Sequence, residues 1–363
     1  MDISDIDKLV AARWEIAADE VQTALKQTLT VAFLGSASSG KDSAIRALFG
    51  IDFGQIDPIP GSTREVRVSA LDEDRRVLIV NAPGFGDLRD EVEKEARAVL
   101  DQVDIAIYVL NCDGGATIDE RRDLDAIRAL GRPTLVCLNK IDLIRLDQRE
   151  QFVATTLAQL AVDKADAMVC AFDPLPALSE HPIGVQPVVD WIHKNLEAEG
   201  KSLLFAKNLR NKATAADVII RAASKKAAMA GALPIPGADI TAVTVLQVKL
   251  ITDIAAIYDK RMDKDLILFI IGEALAGGSK GFIRYAVNAL KVAGWIPGGQ
   301  LVHVATSTLG ATVAGATTWG VGKAAVTFIQ REGDIGGQEL RDIFNTEAFE
   351  WKKRIEEVRP TGS

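Results

Sequence analysis

Residues 31–43 read V-A-F-L-G-S-A-S-S-G-K-D-S. An apolar run, a glycine-bounded loop and a polar-to-apolar continuation spell a buried strand, a turn and the start of a helix. Gly35, then Ser36, Ala37, Ser38 and Ser39, then Gly40 and Lys41 fit the spacing of a phosphate-cradling loop. In such a loop, backbone N–H groups and a helix N-terminus surround the phosphates while the lysine reaches their outer oxygens. One position departs from the pattern. A Ser or Thr belongs after the lysine, because its hydroxyl ligates Mg²⁺; here Asp42 stands there, followed by Ser43.

Around this stretch strands and helices alternate. Strands are expected at residues 31–34, 66–71, 77–81, 105–110, 134–138 and 167–171, and helices at 42–49, 89–101, 118–130, 147–160 and 188–196. Runs such as I-A-I-Y-V-L and L-V-C-L are apolar without alternation, as suits strands covered on both faces. They predict a mainly parallel sheet with helices on both sides, an α/β fold. Ligands of such sheets lie beyond the carboxyl ends of the strands. An amphipathic helix is expected ahead of the sheet, over residues 3–28. The proline-rich D-P-L-P-A-L-S-E-H-P breaks the pattern after Phe172, and beyond about residue 200 only helical segments remain, so an all-α domain is expected there. The expected division is 1–28, a helix packing on the helical domain; 29–199, the sheet-bearing domain; and 200–363, the helical domain.

The chain has 363 residues, enough for two domains, and its 48% hydrophobic and 25% charged residues are globular values. A net charge of −8 and a pI near 5.2 argue against nucleic acid as a partner. Cys112, Cys137 and Cys170 have no C-x-x-C spacing and no companion histidines. They read as small core residues of a reduced, cytoplasmic protein. The acidic N-terminus predicts no signal peptide.

After the strand at 134–138 comes Asn139-Lys140-Ile141-Asp142. It resembles the N-K-x-D motif of GTPases, in which the aspartate accepts hydrogen bonds from guanine N1 and the exocyclic amine. Adenine offers no such pair of donors, so the site discriminates. Pro60-Gly61-Ser62-Thr63-Arg64-Glu65 resembles the switch I segment of the Era/TrmE-like bacterial GTPases. Leu78 to Asp87, L-I-V-N-A-P-G-F-G-D, resembles their D-T-P-G switch II segment, and Cys170-Ala171 stands where they carry a base-contacting Ser-Ala turn. The resemblance covers about residues 30 to 196 and implies a P-loop G domain binding GTP and GDP with Mg²⁺. It implies that Lys41 neutralises phosphate charge, Thr63 closes over the metal and γ-phosphate, Gly84 offers its backbone N–H to the γ-phosphate, and the Ala171 N–H meets guanine O6. Arg64 is either a charge-stabilising residue, in switch I or across a dimer, or a structural one.

Two departures from the family fall at linked positions. The P-loop hydroxyl has become Asp42 and the switch II aspartate has become Asn81, so the carboxylate has changed sides while the site's net charge is kept. Asp42, Thr63 and Asn81 are the metal candidates. Asp42 lies close to where a β-phosphate would sit, and two like charges at that range cost several kcal/mol unless a cation separates them. Nucleotide binding is therefore expected to depend strongly on Mg²⁺; the rival reading is a disabled metal site. Phe85 occupies the place of the Ras-like catalytic glutamine. The dynamin-like, immunity-related and Era-like groups share such substitutions and often recruit catalytic help by pairing G domains. No asparagine lies within the P-loop, which argues against potassium activation.

Residues Ala227 to Ile257 resemble the helical domain of YcjF-like bacterial proteins. From Val292 to Gly322 the chain has no Asp, Glu, Lys or Arg, yet Thr, Ser, Ala and Gly dominate and Pro297-Gly298-Gly299 interrupts it. This favours a buried helix hairpin in a soluble bundle over a membrane span, with His303 a core histidine. The leading expectation is a guanine-nucleotide switch with slow hydrolysis, coupled to the helical domain, with G-domain homodimerisation and a protein or membrane effector. It is cytoplasmic, with peripheral membrane attachment as the alternative. The other readings are a non-hydrolysing scaffold or membrane-remodelling protein, and a ribosome- or tRNA-associated GTPase.

Overall fold

In this computed structural model, residues 3–52, 66–82, 102–232, 238–273 and 301–358 are described. The strands are β1 (Leu29–Leu34), β2 (Arg67–Ala70), β3 (Val77–Asn81), β4 (Ile105–Asn111), β5 (Thr134–Asn139) and β6 (Ala167–Val169). They form one sheet in the order β2-β3-β1-β4-β5-β6. Only β2 runs antiparallel to its neighbour, β3; the other pairs are parallel. β1 lies in the interior of the sheet, and Val31, Ala32, Phe33 and Leu34 are fully buried, as an unbroken apolar run requires. The register pairs Phe33 with Asn81 and with Ile107, and Asn111 with Asn139. The loops after β1, β3, β4 and β5 therefore leave one edge of the sheet, where ligands of such folds bind.

Helices α1 (Ile3–Leu25), α2 (Lys41–Phe49), α3 (Ile118–Arg128), α4 (Arg149–Leu160), α5 (Val185–Glu197) and α6 (Ser202–Asn208) accompany the sheet in sequence. α3 starts at a capping box: Thr117 accepts from the Glu120 N–H at 3.2 Å, and Glu120 accepts from the Thr117 N–H at 2.9 Å. Several element boundaries differ from the sequence reading, and two of the differences have a visible local cause. β6 ends at Val169 rather than 171, because Ala171 turns away to form an isolated antiparallel bridge with Ile183. α4 starts at Arg149, after a short 3-10 turn at Leu146–Gln148. The helix expected at 89–101 lies outside the described residues.

The chain divides into two compact units, Ala24–Thr214 and the combination of Met1–Thr23 with Ala215–Ser363. The second is helical: α7 (Lys212–Gly231), which begins just before it, α8 (Ala238–Ile257), α9 (residues 264–273), α10 (Leu301–Gln330) and α11 (Gly337–Val358). Small residues set its spacing. A methyl group on Gly231 would meet the Gly310 carbonyl oxygen at 2.5 Å, and one on Gly320 would meet the Phe344 ring at 2.7 Å. Such close crossings account for the scarcity of large aliphatics on α10. Trp319 stacks on Trp351 with ring centroids 5.2 Å apart, and Lys323 sits 5.0 Å over the Trp319 ring while bridging Asp217 at 2.6 Å. Trp14 of α1 donates its indole N–H to the Met262 carbonyl at 3.0 Å.

The apolar stretch 292–322 is described only from residue 301, where it forms part of the continuous α10; the Pro297-Gly298-Gly299 break and the His303 side chain fall outside the described part. Among the described residues, no helix is long and apolar enough to cross a membrane.

Candidate nucleotide site

The glycine-bounded loop joins β1 to α2. Gly35 has φ +138°, and a Cβ there would stand 2.2 Å from the Val109 carbonyl oxygen of β4, so a side chain is excluded by conformation and by space. Ser38 is also left-handed, with φ 60°. Lys41, the first residue of α2, is buried, and its ammonium donates to the carbonyl oxygens of Gly35 at 2.8 Å and Ser36 at 2.9 Å. The charge thus lies within its own loop beside the helix N-terminus, where an anion is favoured. Ser43 follows in the first turn. The Ser39 side chain is fully buried, with no partner for its hydroxyl among the described residues. The Ser36 hydroxyl donates to Glu120 at 3.3 Å, which ties the loop to the α3 capping box. Beside Ser36 and Ala37 the described residues leave a cleft of about 740 Å³, walled by Gly114, Gly115, Thr117 and Glu120.

Asp42 and Asn81 meet. The Asn81 carboxamide, at the end of β3, donates to Asp42 Oδ1 at 2.6 Å across 39 residues of sequence. Asn81 is 1% exposed, and among the described residues its Oδ1 has no hydrogen-bond partner. A carboxylate and an orphaned amide oxygen are hard ligands of the kind Mg²⁺ prefers, completed in such sites by phosphate and water. The pair therefore fits the ion. Among the described residues, no cluster of three or more His, Cys, Asp or Glu forms a separate metal site.

At the base end, the Asn139 amide donates to the Ser39 carbonyl at 2.9 Å, and its oxygen accepts the Phe172 N–H at 3.1 Å. The phosphate loop and the N-K-I-D segment are thereby one hydrogen-bonded assembly. Lys140 adopts the left-handed conformation at φ 63°, and Asp142 is the middle residue of the short 3-10 turn Ile141–Leu143. Asp142 is buried, and its Oδ2 accepts the Leu175 N–H at 3.2 Å.

One expected contact is corrected. The Ala171 N–H donates to the Ile183 carbonyl at 3.0 Å and is not available to a base oxygen. Cys170 points its sulfur at the Met168 carbonyl, 3.6 Å away, rather than at the base site. The N–H groups that turn toward Asn139 and Asp142 come from Phe172 and Leu175, with Asp173 between them bound to Arg46 of α2 at 2.6 Å. Glu120 and Arg46 also escaped sequence reasoning. The T-x-x-E pattern from Thr117 to Glu120 is the local signal that could have singled out Glu120, but no local signal reports a partner as distant as Asp173.

All three cysteines are buried and unbridged. Burial pushes the Cys112 thiol up to about 12, and hydrogen bonding to Cys137 together with burial raises Cys170. Cys112 and Cys170 are therefore protonated, inert thiols. Thr63, Arg64 and Gly84 lie outside the described residues.

Residues 30–140 match the family model described as 50S ribosome-binding GTPase, and residues 195–348 match a domain of unknown function, DUF697. The chain is similar to the GTPase Der of Bartonella tribocorum, 24% identical over 187 residues that cover 50% of this chain and 36% of that protein. It is also similar to the tRNA modification GTPase MnmE of Desulforamulus reducens, 29% identical over 125 residues covering 33% of this chain and 27% of that protein. The matched stretch spans 36% or less of the length of these curated relatives. A crystal structure of Aquifex aeolicus Era with GDP and aluminium fluoride aligns over 55% of this chain and 68% of its own at 16% identity, with a TM-score of 0.35. The phosphate loop, the N-K-I-D segment bound to it and the two family matches lead to one conclusion: residues 30–140 are similar to the GTP-binding domains of GTPases such as Der and MnmE, and residues 195–348 are similar to the DUF697 domain.

Proposed function

We propose that this chain is a guanine-nucleotide switch that binds GTP and GDP with Mg²⁺, hydrolyses GTP slowly and couples its nucleotide state to the helical domain. The observation that carries the reading is the Asn139 amide on the Ser39 carbonyl, because it fixes the base-reading segment against the phosphate loop. Residues Gly35 to Ser43 hold the phosphates, with Lys41 countering their charge. Asp142 accepts from the guanine N1 and exocyclic amine, and Asn139 and Lys140 frame the base. Asp42 and Asn81 hold the cation, which when bound screens the phosphate charge and polarises the γ-phosphoryl group. Thr63 and Gly84 are assigned to closing over the γ-phosphate, and Arg64 to charge stabilisation.

Coupling to the helical domain is supported by the end of α2. The Arg210 N–H donates to the Leu48 carbonyl at 2.9 Å, and the Phe49 ring stands edge-on to Phe205 at 6.1 Å. The segment leading into α7 thus rests on the helix that begins at the phosphate loop. A shift of that helix on nucleotide exchange would be felt by the segment. Pairing of G domains supplies the catalytic help that Phe85 cannot, and the protein works in the cytoplasm or at the membrane surface through a protein or lipid effector.

Phosphate release by the purified full chain, measured over a wide range of protein concentration, tests this reading. The expected result is slow turnover whose rate per molecule rises with concentration. A flat rate counts against pairing, and binding without any release of phosphate counts against hydrolysis. Co-sedimentation with liposomes and with RNA is expected to favour the liposomes.

A further inference from the structure

The exchange of Asp42 and Asn81 leaves a geometry that the sequence alone does not specify. The two side chains are in direct contact at 2.6 Å, with the carboxylate on the first turn of α2 and the carboxamide at the end of β3. The carboxamide can face a carboxylate only through its N–H side, so its oxygen turns elsewhere. That oxygen is buried and lacks a partner among the described residues. A buried acceptor left unmatched is costly unless a cation or its water completes it.

We infer that Asn81 is a positioning residue for the metal: its amide engages one oxygen of Asp42, leaves the second to ligate the divalent cation, and presents Oδ1 to a cation-bound water. This rests on the guanine-nucleotide reading above and deepens it. Asp42 then acts in two opposite ways. With the cation present it is the protein's anionic ligand. Without the cation it is a bare negative charge facing the phosphates. The P-loop position thus becomes a cation-dependent latch on nucleotide.

The test is the dissociation rate of N-methylanthraniloyl-GDP from the full chain, in Mg²⁺ and in EDTA. The wild type is expected to release it about a hundredfold faster in EDTA than in Mg²⁺. Asp42→Asn keeps the shape and removes the charge, so its effect changes sign: about tenfold faster release than wild type in Mg²⁺ and about tenfold slower in EDTA. Asn81→Ala is expected to speed release about tenfold in Mg²⁺ and to stay within about threefold of wild type in EDTA. The double exchange Asp42→Ser, Asn81→Asp restores the arrangement of the family. It should return slow release in Mg²⁺ with a smaller EDTA effect than wild type, and it carries the test if Asn81→Ala fails to fold. Faster release by Asp42→Asn in both conditions, or equal wild-type rates with and without Mg²⁺, would overturn the inference while leaving guanine binding intact. A wild-type chain that binds the probe in neither condition would overturn the nucleotide reading and this inference with it.

Discussion

Asn139 stands where a side chain on Gly40 would begin: a Cβ on Gly40, whose φ is +97°, would lie 2.2 Å from the Asn139 amide nitrogen. The glycine that ends the phosphate loop and the asparagine that opens the N-K-I-D segment therefore specify each other. Gly40→Ala must push Asn139 from the Ser39 carbonyl or distort the loop, at a cost of about 1–3 kcal/mol. Its GDP affinity is expected to fall at least about tenfold, measured by calorimetry, with a lowered melting temperature. Unchanged affinity would show that the contact is not needed for binding.

The Leu175 N–H holds the Asp142 carboxylate, to which the proposed function assigns the reading of the base. Leu175→Pro removes that donor, while Leu175→Ala keeps it. A hydrogen bond to a charged group contributes about 1.5–3 kcal/mol, so the proline variant should bind GDP about ten- to a hundredfold more weakly. The alanine variant should stay within about threefold of wild type. Equal loss in both would assign the effect to the leucine side chain instead.

Most of the fold was legible in the sequence because its strands are buried on both faces, and continuous runs such as Ile105–Asn111 leave an unmistakable mark. The phosphate loop and N-K-I-D segment were legible because their side chains and glycines do the work. The base-side turn was not. Its contacts come from the backbone N–H groups of Phe172 and Leu175, which any residue but proline supplies, and a Cys-Ala pair imitated the turn two positions early. The meeting of Asp42 with Asn81 was readable as a substitution pattern, but its direct hydrogen bond needed coordinates.

Phe205 is fully buried and stands edge-on to Phe49, which in turn meets Phe33 of β1 at 6.2 Å. Phe205→Ala is expected to cost about 3–5 kcal/mol, read from urea unfolding of the full chain. GDP at saturating concentration should recover part of the loss, because ligand binds only the folded form.

Asp253 lies in the helical unit, 8% exposed and 2.8 Å from Lys249. Burial outweighs the lysine and holds its carboxyl above the ordinary 3.8. The folded chain therefore keeps this proton to higher pH than the unfolded chain does. The resulting stability is fully present below 3.8 and lost as pH rises through the folded value. Asp253→Asn lacks this titration. Its stability relative to wild type should increase from about pH 4 toward neutrality, in urea midpoints taken across that range. A difference that does not vary with pH would contradict the assignment.

The central claim, that one assembly of phosphate loop and N-K-I-D segment selects guanine nucleotides, is tested most directly by calorimetric titration of nucleotide-free full chain with GDP and with ADP in Mg²⁺. The predicted result is one GDP bound per chain, with ADP at least about a hundredfold weaker, because Asp142 would be left buried and unmatched by adenine. Equal affinity for the two nucleotides, or binding of neither, would contradict it.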